Sequence, residues 1–95
     1  MKSIIQKKKI CYICNKNVLL EEHHCIFGNA NRKKSEQDGL KVFLCQEHHR
    51  GRFGVHGKNG HELDMMLKKT AEKTWLEYYN KTIDDFIERY GRNYL

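Results

Sequence analysis

Three features of the sequence predict an α+β domain: two Cys/His knuckles about thirty residues apart, the branched and aromatic stretch "LKVFLC", and a C-terminal third whose apolar residues recur at helical spacing. A chain of 95 residues accommodates one domain. At that size a hydrophobic core alone stabilises a fold only marginally, so a bound metal is an expected staple. The predicted organisation is a basic tail over residues 1–9, a metal-braced region over 10–60 and C-terminal helices over 61–95.

The elements follow in order. Behind the tail, with Lys2, Lys7, Lys8 and Lys9, "ICYIC" leads into a tight turn at Asn15 to Asn17. Val18 to Cys25 predicts a short strand carrying the adjacent His23 and His24, and Gly28 to Gly39 is polar enough to predict a loop. Leu40 to Cys45 is the best strand. Gln46 to Gly60, with four glycines and three histidines, predicts an irregular segment holding one short helical turn. Leu63, Met66, Leu67, Thr70, Ala71, Trp75 and Tyr78 form one face of an amphipathic helix. Thr82 followed by Asp85 predicts a second helix start, with Phe86, Ile87 and Tyr90 on its buried side and Gly91 at its end. The spacing of Trp75, Tyr78, Tyr79 and Tyr90 assigns them to core packing rather than to a binding surface.

No apolar run is long enough for a membrane span and no signal peptide opens the chain, which predicts a cytoplasmic protein. In a reducing compartment Cys11, Cys14, Cys25 and Cys45 read as metal ligands or free thiols rather than disulfides. The net charge of +6 is uneven: residues 1–60 carry twelve Lys/Arg against five Asp/Glu, and residues 61–95 six against seven. That excess in the Cys/His half points to a polyanionic partner, nucleic acid being the commonest.

Cys11 and Cys14 form a CxxC knuckle, and Cys45 with His48 a CxxH pair; each two-residue spacer turns both side chains toward one point, which predicts a structural Zn²⁺. No βαβ context accompanies the CxxC, so a redox site is disfavoured. Cys25 reads as a further candidate ligand or a small buried thiol. With His48 used structurally, His23, His24, His49 and His56 form a second group. Strand neighbours point to opposite faces, so His23 and His24 suit two separate tasks. Arg32, Lys33 and Lys34, extended by Arg50, Arg52 and Lys58, offer phosphate contacts, and no helix carries an evident base-reading set. His61 and Glu62 read as the start of a helix.

The segments "CYIC", "EEHHCIFGNANRKKSE", "GLKVFLCQEHHRGRFGVHG" and "FIERYGRNYL" together resemble the small phage-encoded HNH endonucleases of the ββα-metal, or His-Me finger, superfamily. The resemblance implies a hairpin and a helix around one catalytic divalent cation, Mg²⁺ or Mn²⁺, braced by zinc knuckles. It implies His24 as the general base that activates water, and His23, His49 and His56 as ligands of the catalytic ion. It implies DNA as the substrate, a bacterial host cytoplasm as the setting, and a homodimer or phage recombination or packaging proteins as further partners. The position of the family's central asparagine is Leu40 here, leaving Asn29 or Asn31 to orient the base. Relatives often end the second knuckle in cysteine, so His48 and His49 could exchange roles as zinc ligand.

The chemistry is consistent: phosphodiester hydrolysis needs an activated nucleophile and charge stabilisation, and an imidazole of ordinary pKa, about 6.5, accepts a proton at neutral pH. Imidazole ligands suit Mn²⁺, Zn²⁺ or Ni²⁺ better than Mg²⁺. The alternatives are a non-catalytic zinc-binding module for nucleic acid and a redox or metal sensor built on the CxxC.

Overall fold

The computed structural model describes all 95 residues. Its elements run β1 (Leu20–His24), α1 (Asn29–Asp38), β2 (Lys41–Cys45), α2 (Gln46–Arg50), α3 (His61–Tyr79) and α4 (Ile83–Tyr90). The α+β class is as expected: one two-stranded antiparallel sheet and four helices. No helix is long and apolar enough to cross a membrane.

The hairpin register sets the site. Leu20 pairs with Cys45, Glu21 with Leu44, Glu22 with Phe43, His23 with Val42 and His24 with Lys41. Because side chains alternate along a strand, Glu21 and His23 share one face of β1 while Glu22 and His24 share the other. The predicted strand over Val18 to Cys25 is shorter than expected, since Val18 and Leu19 are exposed and Leu19 adopts φ 51°.

The largest departure lies between the strands. The expected loop from Gly28 to Gly39 is helix α1. It lacks an apolar stripe because polar tertiary bonds hold it: buried Ser35 donates to the Ile26 carbonyl at 2.5 Å, Asn31 to the Tyr90 carbonyl at 3.1 Å and Lys34 to the Arg89 carbonyl at 2.7 Å. Gly39 closes it in the left-handed region (φ 78°), where a Cβ would stand 2.5 Å from the Lys2 carbonyl oxygen.

That contact reflects a second departure, for residues 1–9 are not a free tail. Ile4 N–H donates to the Gly39 carbonyl at 2.9 Å, Ser3 Oγ to the Lys41 carbonyl at 2.5 Å, and Phe43 N–H to Gln6 Oε1 at 2.8 Å. The segment thus satisfies backbone groups along β2, an edge that would otherwise be open.

Gln46 to Gly60 holds the predicted short helical turn, α2, followed by three linked turns. Gly54 N–H reaches the Gly51 carbonyl at 2.9 Å, Gly57 that of Gly54 at 2.8 Å, and Gly60 that of Gly57 at 3.2 Å. A Cβ on Gly57 or Gly60 would collide with the carbonyls of Gly51 and Gly54, so the three-residue glycine period is what lets the chain stack on itself.

Helix α3 buries Leu67, Ala71 and Trp75, one residue per turn, against Ile26, Leu40, Leu44, Phe86 and Tyr90 of the core. This stripe is narrower than predicted: Met66 and Tyr78, at its flanks, are exposed. Trp75 meets Phe86 edge to face at 5.4 Å. Thr82 and Asp85 form the expected reciprocal cap of α4, Asp85 serving where Glu or Gln is usual. Phe86 and Tyr90 are buried as predicted, whereas Ile87 faces outward because only the 86/90 side of this two-turn helix meets α3.

Candidate functional site

Both knuckles converge. Ligand atoms of Cys11, Cys14, Cys45 and His48 all lie within 4.8 Å of one another. Cys14 Sγ is 3.7 Å from Cys45 Sγ, Cys11 Sγ is 3.7 Å from His48 Nδ1, and Cys45 Sγ is 3.2 Å from the same nitrogen. A tetrahedral zinc with Zn–S near 2.3 Å places sulfurs about 3.8 Å apart, so these donors fit such an ion. Local structure prepares them: Cys11 N–H donates to the Lys16 carbonyl at 2.7 Å, closing the first knuckle, and Tyr12 N–H donates to the Phe43 carbonyl at 2.8 Å, tying it to β2. Burial raises the Cys11 thiol pKa, but the backbone N–H groups of Cys45, Cys14 and Ile13 outweigh it and bring the value to about 6, favouring the thiolate that binds metal.

Of the two histidines that could have closed this set, His48 does so through Nδ1, while His49, one residue on, turns 100° around the helix to a different group. Cys25 stands apart from the thiols, fully buried, its pKa pushed up to about 12 by burial and the Asp64 charge. The small buried thiol is therefore the reading that fits it.

The second group brings His23, His49 and His56 together, their nearest ring nitrogens within 4.8 Å of one another. Ring centroids are 5.2 Å apart for His23 and His49, 5.1 Å for His23 and His56, and 4.9 Å for His49 and His56. His23 projects from β1, His49 from α2, and His56 from the glycine-linked turns, where its N–H donates to the His49 carbonyl at 3.0 Å. Burial, reinforced by the other histidines and Lys68, lowers the His23 pKa to about 3; burial also lowers those of His49 and His56. Neutral imidazoles are the form that binds a cation. His23 Nε2 is buried without a hydrogen-bond partner, an orphan that a metal ion would satisfy.

Glu21 completes this group and was not singled out from the sequence. Its Oε1 lies 2.9 Å from His49 Nδ1, which leaves His49 Nε2 free for a ligand. The same carboxylate holds Arg50 through Nε at 2.9 Å, so this expected phosphate contact is already paired. The alternation of a two-residue spacing on β1, Glu21 then His23, is the signal that could have found Glu21.

His24 occupies the other face of β1, as the strand geometry predicts. It is not an isolated imidazole directed at solvent: its Nε2 lies 2.8 Å from Glu36 Oε1, and Lys41 Nζ sits 2.8 and 3.1 Å from the two oxygens of that carboxylate. Glu22, His24 and Glu36 also bring their ligand atoms within 4.8 Å of one another. Neither Asn29 nor Asn31 bonds His24: Asn29 opens α1 with φ 36°, and Asn31 is bonded to Tyr90.

A cavity of about 320 Å³ joins the two faces at the end of the strand, lined by Glu22, His23, His24, Phe27, Gly28, Arg32, His49 and His56. Arg32 is the expected basic residue that reaches it. Lys33 is exposed on α1, and Lys34 departs from expectation, lying in a separate cavity with Asp38, Trp75 and Arg89. A helix separates the three side chains by 100° steps where a loop was expected to present them together. Arg52 lies 5.9 Å from the Phe53 ring centroid and is exposed, as is Lys58. Comparison with protein-family models, curated proteins and solved structures yields no match.

Proposed function

We propose that this chain is a metal-dependent DNA endonuclease of the HNH type, with Cys11, Cys14, Cys45 and His48 holding a structural zinc and His23, His49 and His56 holding one catalytic divalent cation. The observation that carries the reading is the three-histidine cluster, with its orphaned His23 Nε2, in one cavity with the separately bonded His24 and the guanidinium of Arg32. A zinc-finger module would need one histidine; this chain gathers four more around a cleft.

A divalent cation bound at the histidine cluster supplies Lewis-acid stabilisation of phosphate charge. The remaining work belongs to the chain. His24 accepts the proton of the attacking water, Arg32 holds the phosphate, and Glu21 fixes the His49 ring so that its Nε2 faces the cluster. The basic surface of residues 1–60 attracts the DNA backbone, so binding follows shape and charge more than base sequence.

Purified protein incubated with supercoiled plasmid and Mg²⁺ or Mn²⁺ tests the reading. Nicking or linearisation that disappears in His24→Ala, with unchanged zinc content and circular dichroism, supports it. DNA binding with one zinc per chain and no cleavage under any divalent ion would establish the non-catalytic module instead.

A further inference from the structure

We infer that Glu36, on the helix between the two strands, is the positioning residue for His24, fixing its ring tautomer. The inference rests on the nuclease reading for its consequence, though the tautomer itself can be observed independently.

The geometry runs outward from Lys41. This residue is directly opposite His24 in the hairpin register and nine-tenths buried. Its Nζ contacts both oxygens of Glu36, at 2.8 and 3.1 Å, and one oxygen of Glu22 at 3.5 Å. The Met1 amino group adds a contact to Glu36 Oε2 at 3.1 Å. The Lys41 ammonium thus bridges the Glu22 and Glu36 carboxylates and supplies the positive charge that they face. An ionised carboxylate only accepts hydrogen bonds. The 2.8 Å contact to Glu36 Oε1 therefore requires that His24 Nε2 carry the hydrogen.

If Nε2 carries the hydrogen in the neutral ring, Nδ1 is the basic nitrogen, and it forms no hydrogen bond within the chain. In the proposed step, the water oxygen forms a bond to phosphorus and its proton passes to Nδ1. The bond from phosphorus to the 3′ oxygen breaks, and that oxygen leaves with a proton drawn from solvent. The imidazolium so formed lies beside the Glu36 carboxylate, which stabilises its charge as an acid partner does in other histidine-based sites. Ser35, the neighbour of Glu36, is anchored to the Ile26 carbonyl just beyond β1, which ties α1 to the strand carrying His24.

Long-range nitrogen–proton NMR of the zinc-loaded, ¹⁵N-labelled protein reads the tautomer. His24 is expected to be protonated at Nε2 in the parent and to become a mixture of tautomers in Glu36→Ala. A parent ring protonated at Nδ1 overturns the inference, whatever the activity. In the plasmid assay, kcat is expected to fall on the order of 10²-fold in Glu36→Ala with KM and Mn²⁺ affinity unchanged, and to recover in part in Glu36→Asp. Parental turnover in a folded Glu36→Ala, with His24→Ala inactive, refutes the positioning role and leaves the nuclease reading intact. A parent protein that cuts no DNA removes the nuclease reading and, with it, the catalytic consequence assigned to Glu36.

Discussion

Asp38, in the last turn of α1, and Arg89, in the last turn of α4, form a two-pronged ion pair: Arg89 Nε to Oδ2 at 2.6 Å and Nη2 to Oδ1 at 2.9 Å. The same carboxylate accepts from Trp75 Nε1 at 2.8 Å and from the Tyr90 hydroxyl at 2.7 Å. One side chain thus ties the helix that carries Glu36 to both C-terminal helices. Asp38→Ala leaves four donor groups, from three side chains, without their acceptor and is expected to cost roughly 3 kcal/mol in urea unfolding. A loss below about 0.5 kcal/mol, the range of an ordinary surface substitution, would mean that α1 is held elsewhere.

Removing the proposed zinc should unfold the chain. Structural zinc contributes on the order of 10 kcal/mol in small domains, more than a core of this size can replace. Chelation or Cys45→Ser is expected to abolish cooperative unfolding. His48→Ala should lower the zinc content of purified protein, whereas His49→Ala should leave it at one ion per chain; equal losses in both would contradict the assignment of His48 to the thiol cluster.

Glu21→Gln addresses the other cluster. It preserves the size of the side chain and removes the charge that holds His49, so Mn²⁺ affinity, followed by electron paramagnetic resonance, is expected to fall roughly 10- to 100-fold. His23→Ala should abolish that binding while zinc is retained.

Acid titration should reveal the network around Glu36. Its hydrogen bond from Lys41, joined by those from His24 and the amino terminus, holds the carboxyl pKa at about 2 against an ordinary 4.5. A depressed folded-state pKa means that the unfolded chain takes up the proton first as pH falls. The stabilisation is therefore complete above about pH 4.5 and is lost as pH drops toward about 2. Glu36→Gln should flatten stability over that interval, measured by thermal unfolding at successive pH values.

Arg32 and Lys34 should separate in a DNA-binding titration against salt. Arg32 lines the histidine cavity, whereas the Lys34 ammonium is spent on the Arg89 carbonyl in another cleft. Arg32→Ala is expected to weaken DNA binding and reduce the salt slope by about 1, and Lys34→Ala to leave both nearly unchanged.

Spacing alone made much of this molecule legible. The two knuckles, the strand ending in Cys45, the long helix and the Thr82–Asp85 cap follow from patterns confined to a few residues, because a turn or a helix face is a local property. The opposed faces of His23 and His24 follow equally from the pleat of a strand.

What only the tertiary structure decided involves partners distant in sequence. Helix α1 has no apolar stripe to announce it, being held by bonds to Ile26, Arg89 and Tyr90. The choice of His48 for the thiols and His49 for the histidines depends on where α2 points, and Glu21 and Glu36 become partners of imidazoles only when hairpin and helices close. Sequence determined which residues could ligate, accept protons or cap. Folding determined which of them meet, because hydrogen bonds and metal coordination act over about 3 Å, a distance set by packing and not by spacing along the chain.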